Sequence, residues 1–203
     1  MTSEVTATIS GLVVIGSFGL AHYVRGLKKL KHHQRALDAV GVLLALSLLV
    51  FVEALLQSTQ GVSFYQMIER GDSGLVGSIF MAGAIQGVIY EYVGQFIYPL
   101  WYYPAAERHR FLLLGLPLFW GIFMLIMQDT WALYRGWGLA PWLSVIAVAL
   151  TQYFVIEGIN LWLHSWKYKG FANTPYFLIF GWIVLALTFV VGYNHYFVSP
   201  FGF

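Results

Sequence analysis

The chain contains no cysteine, which excludes disulfides, iron–sulfur ligation and thiolate catalysis. It also carries little charge: 10% of its 203 residues are Asp, Glu, Lys or Arg, against roughly 25% in a soluble domain. So little polar surface leaves a water-exposed fold without a coat. No lysine falls inside an apolar run, which argues against a retinal Schiff base. A Gly-x4-Gly-Lys-Ser/Thr loop is missing, and with it a nucleotide motor. No Gly-x-Ser-x-Gly elbow precedes a hydrolase triad. The opening MTSEVTATIS lacks a basic leader, so the first apolar run is expected to be retained. With no linker or low-complexity segment to divide it, residues 1–203 read as a single integral membrane domain.

What is present is apolar. Hydrophobic residues make up 59% of the chain, and mean hydropathy is +0.71. Strands of a membrane barrel alternate apolar and polar positions over about ten residues. This chain instead has continuous runs near twenty residues, the length of a spanning helix. The fold class is therefore all-α, a polytopic membrane protein. Six transmembrane helices are expected, at about 6–24, 38–57, 75–98, 111–133, 141–164 and 176–194. Gly11, Gly16, Ser17 and Gly19 would let a neighbour approach the first of them closely. Pro117 lies inside the fourth.

Orientation follows from the basic residues. Arg25, Lys28, Lys29, Lys31, Arg35, Arg108, Arg110, Lys167 and Lys169 fall in alternate loops, leaving Arg70 and Arg135 on the other side. The positive-inside rule places the larger group in the cytoplasm, so both termini lie outside. The expected location is a bacterial or archaeal cell membrane.

Two stretches share a grammar. In YEYVGQFIYPLWYYP, residues 90–104, Glu91 is followed by Gln95 one turn on, Tyr98 on nearly the same face, then Pro99 and the aromatics Trp101, Tyr102 and Tyr103. In IEGINLWLHSWKY, residues 156–168, Glu157 is followed by Asn160, His164, Trp166 and Tyr168. Gln86 and Gln152 precede the two glutamates by the same interval. Helices 2–3 and 4–5 thus read as an internal two-helix repeat. A carboxylate within a span costs about 2.5–3.5 kcal/mol on insertion scales, so it must pair, be protonated, bind a cation or line a wet cavity. Glu91 and Glu157 are the candidate general acid and base, with Gln95 and Asn160 orienting them. The plainer reading is that both carboxylates bond to polar side chains and lock the bundle. Trp101, Trp166 and their tyrosines likewise read as an interfacial belt.

Metal sites have thinner support. His22, His109 and His164 are helix-end histidines on one side, and with a glutamate they compose a mixed set suited to iron, zinc or copper. No metal-box spacing supports them, and His32–His33 is too short to be one. Glu53, Asp129 and His195 make a looser set on the other side. No cofactor is identified.

The pattern aromatic-Glu followed by Tyr-Pro-x-Trp-x-Tyr, carried here by Tyr90, Glu91, Tyr98, Pro99, Trp101 and Tyr103, resembles a family of uncharacterised bacterial multi-pass membrane proteins. Gly94 and Gln95 stand where that pattern has an Asn-containing turn. The resemblance implies no activity. A more distant architectural similarity links paired helix glutamates to lycopene cyclase-like carotenoid enzymes, whose Pro-x-Glu-Glu signature is absent. The expectation is a small membrane enzyme acting on an apolar lipid or isoprenoid by carboxylate acid–base chemistry. The alternative is a non-catalytic membrane subunit or a small cation- or proton-linked transporter. Expected partners are the lipid bilayer, a hydrophobic small molecule, and a membrane protein or second copy; no nucleic acid is expected.

Overall fold

The computed structural model describes residues 3–26, 33–103 and 109–196. Lys28, Lys29, Lys31, His32 and Arg108 lie outside the described residues, as do the side chains of Arg25, His33, Arg35, His109 and Arg110. Helix α1 (Ser3–Gly26) and helix α2 (His33–Gln60) lie along each other as a hairpin. The short α3 (Phe64–Glu69) interrupts the expected polar loop, and Ser63 Oγ caps it by accepting from the Gln66 N–H at 3.1 Å. Helix α4 (Ser73–Tyr92) returns and ends in a wide π-turn, Val93–Ile97, before Pro99. Strand β1 (Trp101–Tyr102) leads to α5 (His109–Gly136). Helix α6 (Pro141–Gln152) passes through a second π-turn, Tyr153–Glu157, into α7 (Gly158–Leu163). Strand β2 (Lys167–Tyr168) and a 3-10 turn, Gly170–Asn173, precede α8 (Pro175–Ala186), a third π-turn, Leu187–Gly192, and α9 (Tyr193–Tyr196).

Among the described residues, five stretches are long and apolar enough to cross a membrane: Ala39–Gln60, Ser73–Ile97, Gly115–Gly136, Pro141–Leu161 and Pro175–His195. Helix α1 adds a shorter apolar stretch, Gly11–Val24. The fold is an all-α, multi-pass membrane bundle. Large apolar side chains such as Ile15, Ile85, Phe96, Phe154 and Phe180 face outward. That is the surface a lipid solvent requires rather than an error in burial.

Helix α5 is the centre of the bundle. Every residue from Trp120 to Leu133 is buried, and α5 packs against α2, α4, α6 and the π-turn that follows α8. Small residues set the close approach of α4 and α5. A Cβ on Gly83 or Gly87 would run into Met124 and Trp120, and one on Gly121 into Phe80. In α1 only part of the expected small-residue stripe works this way. Gly11 rests on the Phe51 ring of α2, whereas Gly16 and Gly19 face open space. Several hydroxyls inside the helices are satisfied by their own helix: Ser17 donates to Val13 C=O, Ser47 to Leu43 C=O and Thr130 to Ile126 C=O, at 2.6–2.7 Å.

The two strands pair antiparallel at one end of the bundle, with Trp101 opposite Tyr168 and Tyr102 opposite Lys167. Lys169 N–H extends the ribbon by donating to Leu100 C=O at 2.7 Å. The repeat expected over helices 2–3 and 4–5 keeps its two glutamate-bearing helices. The likeness continues through each ribbon strand into the helix that follows, α5 in one copy and α8 in the other.

Candidate functional site

Glu91 sits one residue before the end of α4 and is buried. Four donors converge on its carboxylate. Gln95 Nε2 and Trp101 Nε1 donate to Oε2 at 2.8 and 3.0 Å. Tyr103 OH and Trp120 Nε1 donate to Oε1 at 2.6 and 3.1 Å. An indole N–H can only donate, and an ionised carboxylate only accepts, with about four lone-pair positions. All of those positions are used. The donors come from the π-turn, the ribbon and α5, so one side chain ties three elements together. The local sequence allows this at Gly94, where any Cβ would overlap the Trp101 indole. Only glycine lets that ring fold back over the helix end to reach Glu91.

Glu157 is the last residue of the second π-turn and is also buried. Its Oε1 accepts from Tyr168 OH at 2.6 Å and from Trp182 Nε1 at 3.1 Å. Trp166 Nε1 in turn donates to Tyr168 OH at 2.9 Å. Oε2 accepts no well-formed hydrogen bond among the described residues, and Asn160 stands beside the carboxylate without completing one. Asn160 Oδ1 instead accepts the Trp166 backbone N–H at 3.1 Å and fixes the turn out of α7.

The two glutamate clusters therefore share one plan. Each carboxylate takes a tyrosine from the ribbon segment, Tyr103 just past β1 and Tyr168 in β2, and an indole from the next helix. They are joined through the ribbon, where the Trp101 and Tyr168 rings lie 6.5 Å apart, edge to face. Burial and the neighbouring carboxylate push the phenols of Tyr103 and Tyr168 well above the ordinary tyrosine range, so both remain donors. Glu91 also acts on Tyr168, so the clusters are electrostatically adjacent.

Some sequence expectations do not carry through. Tyr98 does not join the face of Glu91 and Gln95. The π-turn at 93–97 adds a residue to that turn, and Tyr98 is extended and exposed. His164 leaves the face of Glu157 and Asn160 because it adopts the left-handed conformation, φ 53°, that ends α7. The Gln pair diverges as well. Gln152 Nε2 meets Thr130 Oγ1 at 3.4 Å, while Gln86 Oε1 is buried and finds no donor among the described residues.

Of the metal candidates, His22 and His164 are exposed, and the His109 side chain lies outside the described residues. No cluster of three or more His, Asp or Glu forms among the described residues. The looser set at the other end separates. His195 is exposed on α9, while Glu53 and Asp129 turn toward each other.

Trp120 and Trp182 are the functional-site residues that sequence reasoning missed. Both lie deep in apolar runs where an indole N–H needs an acceptor, which is the signal that marks them. Comparison with known proteins gives no relative for this arrangement: no family model, no curated protein and no solved structure matches the chain.

Proposed function

We propose that the ribbon end of this membrane bundle binds an apolar lipid or isoprenoid and acts on it by carboxylate acid–base chemistry. Glu157 is the proton-transferring group, and Glu91 is a fixed anion that positions the ribbon. The reading rests on one contrast. Every acceptor position of Glu91 is occupied, whereas among the described residues the well-formed hydrogen bonds to Glu157 all fall on Oε1, with Asn160 beside the carboxylate. A proton given to a double bond at one carbon and taken back from another leaves an isomerised or cyclised product and needs no co-reactant. The ring faces of the surrounding indoles and phenols suit the cationic intermediate. Asn160 orients Glu157, and Gln95 holds Glu91. The basic end is cytoplasmic and both termini lie outside, in a bacterial or archaeal cell membrane.

A second reading has its own support. The closed shell of Glu91 is what a packing lock requires, and a lock fits a non-catalytic subunit of a larger membrane complex, a homo-oligomer, or a small cation- or proton-linked transporter. The test is to identify the lipids that copurify with the protein and assay their conversion. Glu157→Gln should leave the bound lipid in place and lower turnover by about 10²–10⁴-fold. Full turnover in that variant ends the enzyme reading.

A further inference from the structure

At the end of the bundle opposite the ribbon, two acids share a site that the ribbon chemistry does not use. Asp129, on the central helix α5, is completely buried, and neither of its carboxyl oxygens meets a donor among the described residues. The group within hydrogen-bonding reach of it is another carboxyl, Glu53 of α2. Glu53 is only partly buried and is well supplied. Its Oε1 accepts the Phe64 N–H at 2.8 Å and its Oε2 the Tyr65 N–H at 3.3 Å, both from the first turn of α3. No Lys, Arg or His acts on either acid among the described residues. The groups bearing on Glu53 are Asp129, the α3 amides and Ser63, and the one bearing on Asp129 is Glu53.

Two carboxylates cannot hydrogen-bond to each other without a proton between them. Two bare anions in contact inside a membrane helix pair are also ruled out by their repulsion and lost hydration. Counting donors locates the proton. Glu53 already receives two amide N–H groups, as an anion would, while Asp129 receives none among the described residues. Asp129 therefore supplies the missing donor as its own O–H, directed at Glu53. The pair then carries one proton and one negative charge.

The site also has an entrance. A cavity of about 540 Å³ opens between α2, α3, α4 and α5, lined mainly by apolar side chains including Val50, Phe64, Tyr65 and Leu125. Glu53 lies on its wall, with Gln57 beside it, whereas Asp129 does not reach it. A proton arriving through this cavity meets Glu53 first and passes to Asp129 behind it.

We propose that Glu53 and Asp129 form a one-proton binding site, loaded through the cavity between α2 and α3, in which Asp129 holds the proton and Glu53 exchanges it.

Infrared spectroscopy on the full chain in lipid nanodiscs at neutral pH tests this directly. The spectrum should contain a protonated-carboxyl carbonyl band that moves in deuterium oxide. Asp129→Asn should abolish that band. Glu53→Gln should move or abolish it, because the acceptor changes from carboxylate to amide. Glu69→Gln, on the exposed face of α3, should leave it unchanged. A band intact in Asp129→Asn, or unmoved in Glu53→Gln, overturns the proposal. Should Asp129→Asn fail to reach the membrane, the Glu53→Gln spectrum decides alone. Loss of the wild-type band on adding sodium at constant pH would mark a metal-cation site instead and would also overturn it.

Discussion

Trp101 and Tyr168 face each other across the ribbon with their rings 6.5 Å apart and inclined at 71°, and each is bonded through its polar tip to a different buried glutamate. The contact makes the two halves of the repeat one unit. Moving either ring disturbs the acceptor of both. It also gives a two-residue strand pair, far too short to be stable alone, the side-chain anchoring that holds it.

Gly94 and Gly158 should respond oppositely to alanine. A Cβ at Gly94 overlaps the Trp101 indole, whereas at Gly158 it meets nothing within 4 Å. Gly94→Ala should displace Trp101 from Glu91 and destabilise by about 1–3 kcal/mol, as overpacking does. Gly158→Ala, at a helical position, should be neutral or stabilising by about 0.5–1 kcal/mol. Unfolding in mixed micelles, followed by tryptophan fluorescence, reads both. A Gly94→Ala protein with wild-type stability and emission would contradict the described packing.

Glu91→Gln should cost stability. An amide accepts at one oxygen only, so part of the four-donor shell would face an NH2 group. Gln95 can turn its own oxygen inward, but an indole cannot reverse. Leaving one or two buried donors unmet costs about 1–3 kcal/mol. A packing acid held by interchangeable partners would instead lose little, because interhelical hydrogen bonds in membranes average roughly 0.6 kcal/mol. Denaturation midpoints of the variant and wild type separate the two cases.

The repeat predicts matched indole bonds. Trp120 and Trp182 each donate to Oε1 of a glutamate at 3.1 Å from the helix after the ribbon strand. Removing only the N–H in a double-mutant cycle, Trp182 with Glu157 and Trp120 with Glu91, should give coupling energies of about 0.5–3 kcal/mol in both. Coupling in one cycle and none in the other would reduce the shared plan to a resemblance of sequence.

Helix positions were readable in advance because a bilayer demands a continuous apolar run of fixed length; of the six expected, five are long and apolar enough among the described residues, and the first is a shorter apolar stretch. Glu91 and Gln95 were readable together because they lie one helical turn apart, and they do meet, whereas Trp101, read as an interfacial belt residue, turns inward and donates to Glu91. Tyr98 and His164 were placed on the wrong face because faces were counted at 3.6 residues per turn. A π-turn beside each glutamate, and a left-handed residue at His164, break that count. No local composition announces such turns. Trp120 and Trp182 were missed because they lie 29 and 25 residues downstream of the acids they bind. Glu53 and Asp129 could be grouped in advance as acids at one end and they do meet, but His195, grouped with them, does not complete a three-member cluster among the described residues.

Alkaline pH should weaken the fold through Tyr103 and Tyr168. Burial, then the adjacent carboxylate, raises both phenols above an unfolded value near 10. Above that pH the unfolded chain gives up these protons while the folded chain keeps them. The folded state then binds more protons, so stability falls as pH rises. Their contribution is complete below about pH 10 and is lost progressively above it. Tyr168→Phe removes one raised phenol. Its unfolding midpoint should therefore be lower than wild type at neutral pH, since the bond to Glu157 is gone, but should fall less steeply on going alkaline. Ultraviolet absorbance of phenolate in the folded protein checks the same point independently. Exposed tyrosines such as Tyr176 should ionise first, and the signal of Tyr103 and Tyr168 should appear only as the protein unfolds. If the two phenols instead ionise with the exposed set, Glu91 and Glu157 do not hold them as donors, and the shared site described above is wrong.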